Sequence, residues 1–305
     1  MKKVVVSGAT GFIGGALVRA LAERGDAVTV LSRRVAGVAA PPGGSVVQWE
    51  PEAAGDWHRA LDGADAVVHL AGEQAVGARW TRAAKERIRA SRVRSTEQLV
   101  LAMREAQAKP AVLVCASAVG YYGARAPEVE LDEGAPAGTD FLASVCVEWE
   151  SAARQASELG VRVVCARLGI VLGPGGGALA EMVKPFRAFA GGPIGSGEQV
   201  VSWVALQDAV AILLRLLDEQ SVSGPVNVVA PAAVDNATLS RAIGEALGRP
   251  SWLRVPGLAL RARFGEGAEP LLTGQRAVPG VLRRLGYQWV FPELEPALRA
   301  ALAAG

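Results

Sequence analysis

Gly8, Gly11 and Gly14 recur every three residues directly after the apolar run Val4-Val5-Val6-Ser7. That spacing suits an anion-binding turn between a strand and a helix. The first glycine permits the tight turn, the second lets backbone N–H groups approach a pyrophosphate, and the third lets helix and strand pack closely. The anion then lies on the positive end of the helix. Gly8, Thr10, Gly11, Phe12, Ile13 and Gly14 are therefore the first candidate ligands of a dinucleotide. A bare glycine triplet is weak, but one placed straight after the first strand is specific; the plain alternative is a turn that binds nothing.

The second apolar run ends in Leu31-Ser32-Arg33-Arg34, where an NAD-binding chain would carry an acidic residue for the ribose hydroxyls. Ser32, Arg33 and Arg34 offer a hydroxyl and two guanidinium groups, which suit a 2′-phosphate, so NADP(H) is the expected cofactor. The alternative is a solvated basic strand end. At the close of the fourth strand, Leu70, Ala71 and Gly72 let a cofactor pass near the backbone, and His69 is expected to be packed or cofactor-adjacent. Ala116, Ser117 and Arg167 end later strands at the same carboxyl edge, where open α/β sheets bind their ligands.

These residues need a scaffold, and the hydrophobic period supplies one. Short β-branched runs at Val4–Val6, Ala27–Leu31, Val46–Trp49, Ala66–Leu70, Ala111–Ala116 and Val161–Leu168 alternate with helical patterns. The helical patterns cover Phe12–Arg24, Ala83–Gln107 and Phe141–Leu159. Continuous apolar strands such as AVVHLA fit a parallel sheet covered on both faces. The expected fold is a Rossmann-type, doubly wound parallel α/β sheet with a small, mostly helical C-terminal region. Residues 1–230 form the NADP-binding domain, and residues 231–305 complete the cleft together with the glycine-rich loop 173–200.

The 305 residues, half of them apolar, exclude a disordered tail or a disulfide-stapled miniprotein. Thirty-two basic against 30 acidic residues give a charge of +2, too little for sequence-blind nucleic-acid binding. The three cysteines are odd in number and two lie in apolar runs, which points to buried thiols and a cytoplasmic location. With two histidines and no CxxC or HExxH spacing, no metal is expected. The opening MKKVVV and the ALA that follows imitate a secretory signal, but the glycines fall where a nucleotide turn needs them. No uncharged run free of Gly and Pro reaches the roughly 18 residues of a membrane helix, so no membrane partner is expected.

GATGFIG, HLAG and a strand ending in Ser117 before YYG resemble the extended or atypical short-chain dehydrogenase/reductases. RWT with KERIRASRVRST, SAVGYYG, the WE that follows Cys146, ARLGIVLGPGGGAL, PFR, GGPIGSGEQVVSW, NVVAP and VPGLAL narrow the resemblance. They point to epimerase family proteins, similar to NAD-dependent epimerase/dehydratases, with a C-terminal domain of unknown function. The resemblance covers almost the whole chain. It implies an NADP(H)-dependent oxidoreductase or nucleotide-sugar epimerase acting on a small molecule, alone or as a homodimer. The wider family uses a Ser or Thr and a Tyr-x-x-x-Lys pair as proton-transfer machinery. Ser117 fits the first role, but Leu142 and Cys146 stand where the pair belongs, and a shift by one puts Phe141 and Val145 there. Ser91–Thr96 stands where relatives place a supporting asparagine.

Tyr121 and Tyr122 are then the best substitute proton donors, and each has the alternative of an aromatic wall. The missing pair also favours a rival, an NADP(H)-binding sensor or scaffold without turnover. Cys146 reads as a buried small residue rather than a nucleophile. From Arg79 to Arg94 seven basic residues meet one acidic residue, Glu86, mostly as a solvated face, with Arg79 and Arg92 the ones that could reach an anion. Trp80 and Trp203 line a pocket or fill core. Asp208 caps or complements a helix, while Asn227 and Gln199 are candidate ligand hydrogen bonders. The glycines from Gly191 to Gly197 could form a loop over a substrate.

Overall fold

The computed structural model describes residues 1–303. Its centre is a seven-stranded sheet in which every pairing is parallel. The strands are β1 (Lys3–Ser7), β2 (Ala27–Ser32), β3 (Ser45–Gln48), β4 (Ala66–His69), β5 (Val112–Ala118), Arg162–Leu168 and Gly224–Val228. Across the sheet they run Gly224–Val228, Arg162–Leu168, β5, β4, β1, β2, β3. The order reverses between β1 and β4, and a crevice opens at that switch point on the carboxyl side.

Alternation along each strand builds two cores. Val4 and Val6 join Leu17, Leu21, Val28, Val114 and Leu213 on one face, under α1 (Phe12–Glu23) and Leu206–Asp218. Val5 joins Val67, Leu99, Met103, Leu113 and Trp149 on the other. That second face is covered by Val93–Glu105 and Phe141–Arg154. A third cluster, with Leu179, Phe186, Trp203, Leu239, Ile243 and Leu298, holds the later helices. Yet Leu282 and Tyr287 pack in the sheet's own core, so the C-terminal stretch is anchored there as well. Residues 304 and 305 of the expected C-terminal region lie outside the described residues.

One expected element is divided. The pattern over Ala83–Gln107 forms two helices, α2 (Arg82–Ala90) and α3 (Val93–Glu105), broken at Ser91-Arg92. The cause is tertiary. The Ser91 hydroxyl donates to Ile88 O at 3.0 Å and accepts from Glu73 N at 3.0 Å, tying the break to the chain that leaves β4. Thr81 caps α2 by accepting from Ala84 N. Asp140 does the same for α4 (Phe141–Arg154), accepting from Ala143 N. Among the described residues no helix is long and apolar enough to cross a membrane.

Candidate functional site

The turn after β1 is shaped by steric necessity. Gly8 has φ +73°, and a Cβ there would lie 2.6 Å from the Leu70 carbonyl carbon. At Gly14 a Cβ would meet the Gly8 carbonyl oxygen at 2.1 Å. The start of α1 is thus pressed onto β1, and Leu70 and Ala71 run against the turn. Gly11 stands at the N-cap with no side-chain cap, and the first N–H groups of a helix have no intrahelical acceptor. Thr10 and Gly11 are exposed. The Phe12 ring is packed at Gly173, Gly176 and Gly177, where an added Cβ would meet its carbons at 2.6 to 3.0 Å. Phe12 therefore offers a ligand its backbone, not its ring.

Past β2, Arg33 and Arg34 are exposed and form no ion pair among the described residues. Ser32 is buried, and its hydroxyl turns back on its own loop, donating to Arg34 O at 2.7 Å. It shapes the loop that presents the two guanidinium groups.

His69, at the end of β4, is fully buried between two serines. Its Nδ1 lies 2.6 Å from the Ser7 hydroxyl and its Nε2 3.1 Å from that of Ser95. The Ser95 proton is directed at Ser91 O, 2.7 Å away. Ser95 therefore accepts from Nε2–H, and Nδ1 accepts from Ser7. Burial, with the charge of Arg92 adding to it, pushes the His69 pKa down to about 3. Its unfolded counterpart titrates at 6.5. Between these values the unfolded chain binds more protons, so acidification favours unfolding. Stability is expected to fall by about 1.4 kcal/mol for each pH unit below about pH 6, and His69→Gln to flatten that slope. Urea denaturation of both proteins at pH 7, 6 and 5 measures it; parallel slopes would contradict the assignment.

The carboxyl edge of β5 holds a buried polar network. Ser117 Oγ donates to Glu150 Oε1 at 2.8 Å. Arg167 grips the same carboxylate with Nε at 2.8 Å and Nη2 at 2.9 Å. Its Nη1 donates to the Tyr122 hydroxyl at 3.0 Å and to Glu133 O at 3.3 Å. Tyr122 in turn donates toward Asn227 Oδ1 at 2.7 Å and Asp132 O at 2.9 Å. Tyr122 and Asn227 are 0% exposed, Ser117 and Arg167 2%, and Glu150 1%. Burial opposes the Arg167 charge, but bonding and attraction to Glu150 outweigh it and hold the guanidinium above its ordinary pKa. Burial raises the Tyr122 phenol, against the pull of Arg167. Tyr121 differs: half-buried, it stacks on Arg167, Cζ 3.5 Å from the ring centroid. Its hydroxyl has no hydrogen-bond partner among the described residues.

The α4 face toward Ser117 offers no second proton donor. Leu142 lies beside Gly120, and Cys146 is buried with its thiol pushed up to about 11 by desolvation. Cys115 and Cys165 are buried and unpaired too. Glu150 joins Ser117 and Arg167, a role its position did not announce; the signal was a carboxylate on the apolar face of Val145, Cys146, Trp149 and Ala153.

Other candidates serve the framework. Trp203 is 1% exposed and donates to Ala232 O at 3.0 Å. Asp208, in the first turn of Leu206–Asp218, accepts from Val290 N at 2.8 Å and Phe291 N at 2.9 Å. Asn227 Nδ2 donates to Leu131 O and Val278 O, and Gln199 Nε2 to Ile194 O and Leu271 O. Trp80 is half-buried, edge-on to Phe141 at 5.0 Å. A recess of about 340 Å³ opens where Ala124–Pro127 meet Ser196, Gln199 and residues 272–274.

Comparison with known proteins agrees with this architecture. Residues 4–230 match the NAD dependent epimerase/dehydratase family, and residues 255–301 match a domain of unknown function, DUF1731. The epimerase family protein Mb2239 of Mycobacterium bovis is 44% identical over 287 residues, 94% of this chain and 93% of its own. The human epimerase family protein SDR39U1 is 38% identical over 305 residues, covering 99% of this chain and all of its own. A crystal structure of human SDR39U1 (isoform 2) with NADPH superposes with a TM-score of 0.88 at 37% identity, over 99% of each chain. MoeE5 in complex with UDP-glucose and NAD, at 21% identity, 99% and 97% coverage and a TM-score of 0.81, shares the fold. A switch-point sheet with a glycine turn, matched over both regions of the chain, places this protein in the NAD dependent epimerase/dehydratase family.

Proposed function

We propose that the protein binds NADP(H) across the switch point and uses it on a small-molecule substrate, as an oxidoreductase or a nucleotide-sugar epimerase. The observation that carries this reading is the uncapped start of α1, pressed onto β1, followed by two unpaired guanidinium groups at the end of β2. These residues fit the cofactor: N–H groups for its pyrophosphate, Arg33 and Arg34 for its 2′-phosphate. When bound, the cofactor supplies a hydride donor or acceptor. In this reading Tyr121 exchanges the proton with substrate, because it is the phenol of this edge whose hydroxyl is uncommitted. Tyr122, Glu150 and Arg167 act as positioning residues that hold β5, α4 and Tyr121. The recess lined by Ala124–Pro127 and bounded by the loop that contains Gly197 is where a small substrate would enter.

A second reading, binding without turnover, is favoured by the Ser117 hydroxyl, whose proton is directed at Glu150. Incubation with NADPH and a panel of carbonyl compounds and nucleotide sugars, followed by product analysis, separates the two. Turnover that falls at least about tenfold in Tyr121→Phe, with unchanged NADPH affinity, supports the enzyme. NADPH binding with no product from any substrate supports the second reading, and failure to bind NADPH at all refutes both.

A further inference from the structure

We infer that Arg92 binds the nicotinamide-side ribose and phosphate of the cofactor, bringing to the cleft from the α2–α3 break a cation that α4 does not carry at Cys146. This rests on the NADP(H) reading above. In the basic run from Arg79 to Arg94 most charges are neutralised at the surface. Lys85 pairs with Glu266, Arg87 with Glu73, Arg89 with Glu148, and Arg94 with Glu52 and Glu86. Arg79 and Arg82 are exposed. Arg92 is half-buried, and its contacts are neutral: Nη1 donates to Ile88 O at 3.0 Å and Ser91 Oγ at 3.4 Å, and Nη2 to Glu73 O at 2.9 Å. Nε–H and the second Nη2–H have no acceptor among the described residues.

The guanidinium has a defined seat. Its Cζ is 5.3 Å from the Trp149 ring centroid. A Cβ on Gly72 would lie 3.2 Å from Cζ and 3.3 Å from Nη2, so the absent side chain at Gly72 is what lets the guanidinium lie there. Gly72 follows Leu70 and Ala71, which abut the Gly8 turn, and β4 is the immediate neighbour of β5 with Ser117. A dinucleotide anchored on α1 and extended toward Ser117 must pass this guanidinium. A partly desolvated cation with spare donors and no carboxylate in direct contact, the nearby Glu73 carboxylate being paired with Arg87, is costly by itself. Phosphate oxygens and ribose hydroxyls are the acceptors that would complete it.

Calorimetric titration of the full chain tests this with two probes. NADPH spans the whole cleft, while adenosine 2′,5′-bisphosphate reaches only the Arg33–Arg34 and Gly8–Ile13 end. Arg92→Met is expected to weaken NADPH roughly ten- to hundredfold, as loss of a charge-assisted hydrogen bond should, and to leave the bisphosphate within about twofold. Arg92→Lys, which keeps the charge, should fall between. Arg92→Gln, which keeps an amide donor toward Glu73 O, serves if the methionine variant does not fold. NADPH affinity within about twofold of the parent, or equal weakening of both probes, would overturn the assignment. If neither probe binds the parent, the cofactor reading itself is wrong.

Discussion

Replacing Arg167 with methionine is expected to destabilise the folded chain by about 3–5 kcal/mol, the range for breaking one side of a buried ion pair. The Glu150 carboxylate would keep only the Ser117 hydroxyl at 2.8 Å and a longer contact to Arg154 at 3.4 Å. At 1% exposure it has almost no access to water. Tyr122 would lose a donor to its hydroxyl, and Tyr121 the cation it stacks on. The loss comes from the stranded charge more than from the missing attraction. Arg167→Met combined with Glu150→Leu should therefore be more stable than Arg167→Met alone, because apolar groups of similar volume can replace a buried pair at little cost. Urea denaturation of Arg167→Met, Glu150→Leu and the double variant measures this. Additive losses, or a loss for Arg167→Met below about 1 kcal/mol as for exposed pairs, would show that the network bears little of the stability at this edge.

The sheet was readable from the chain because its strands are buried on both faces and so appear as unbroken apolar runs. Val4–Val6 and Ala66–Leu70 are examples, and the observed β1 and β4 overlap them closely. The glycine turn was readable because sterics leave little choice at Gly8 and Gly14. The break between α2 and α3 was not. Ser-Arg-Val-Arg-Ser contains neither glycine nor proline, and what interrupts the helix there is a set of bonds to Glu73 and to the His69–Ser95 pair, all fixed by tertiary structure. Arg92 consequently stood out from the basic run only as one of two residues, with Arg79, that could reach an anion, and nothing in its spacing told the two apart. Glu150 stood out only as part of the Trp149-Glu150 motif. Its partners lie on two strands, one 33 residues before it and one 17 after, and no local period joins them. Tyr121 and Tyr122, adjacent in the chain, are told apart by their hydroxyls: one is enclosed by Arg167 and Asn227, and the other is uncommitted.

Arg33→Ala combined with Arg34→Ala is expected to weaken NADPH roughly hundredfold while NADH affinity stays within about twofold. Each charge-assisted bond to a phosphate contributes about 1.5–3 kcal/mol, and both guanidinium groups are exposed, so the low end applies. Two such losses, about 3 kcal/mol together, correspond to two powers of ten in affinity. NADH lacks the 2′-phosphate, so the same change removes nothing it contacts. The loop itself should survive, because its shape rests on the Ser32 hydroxyl against Arg34 O and on Gln48 Nε2 against Arg33 O, which are bonds to backbone. Salt offers an independent check. Exposed charges are screened beyond about 10 Å at 0.1 M, so NADPH binding by the parent should weaken with added salt more steeply than binding by the double variant. If the two proteins bind NADPH alike, or if NADH falls in parallel, the guanidinium groups are only a solvated strand end. Selection between the two dinucleotides would then have to come from elsewhere on the β2 edge.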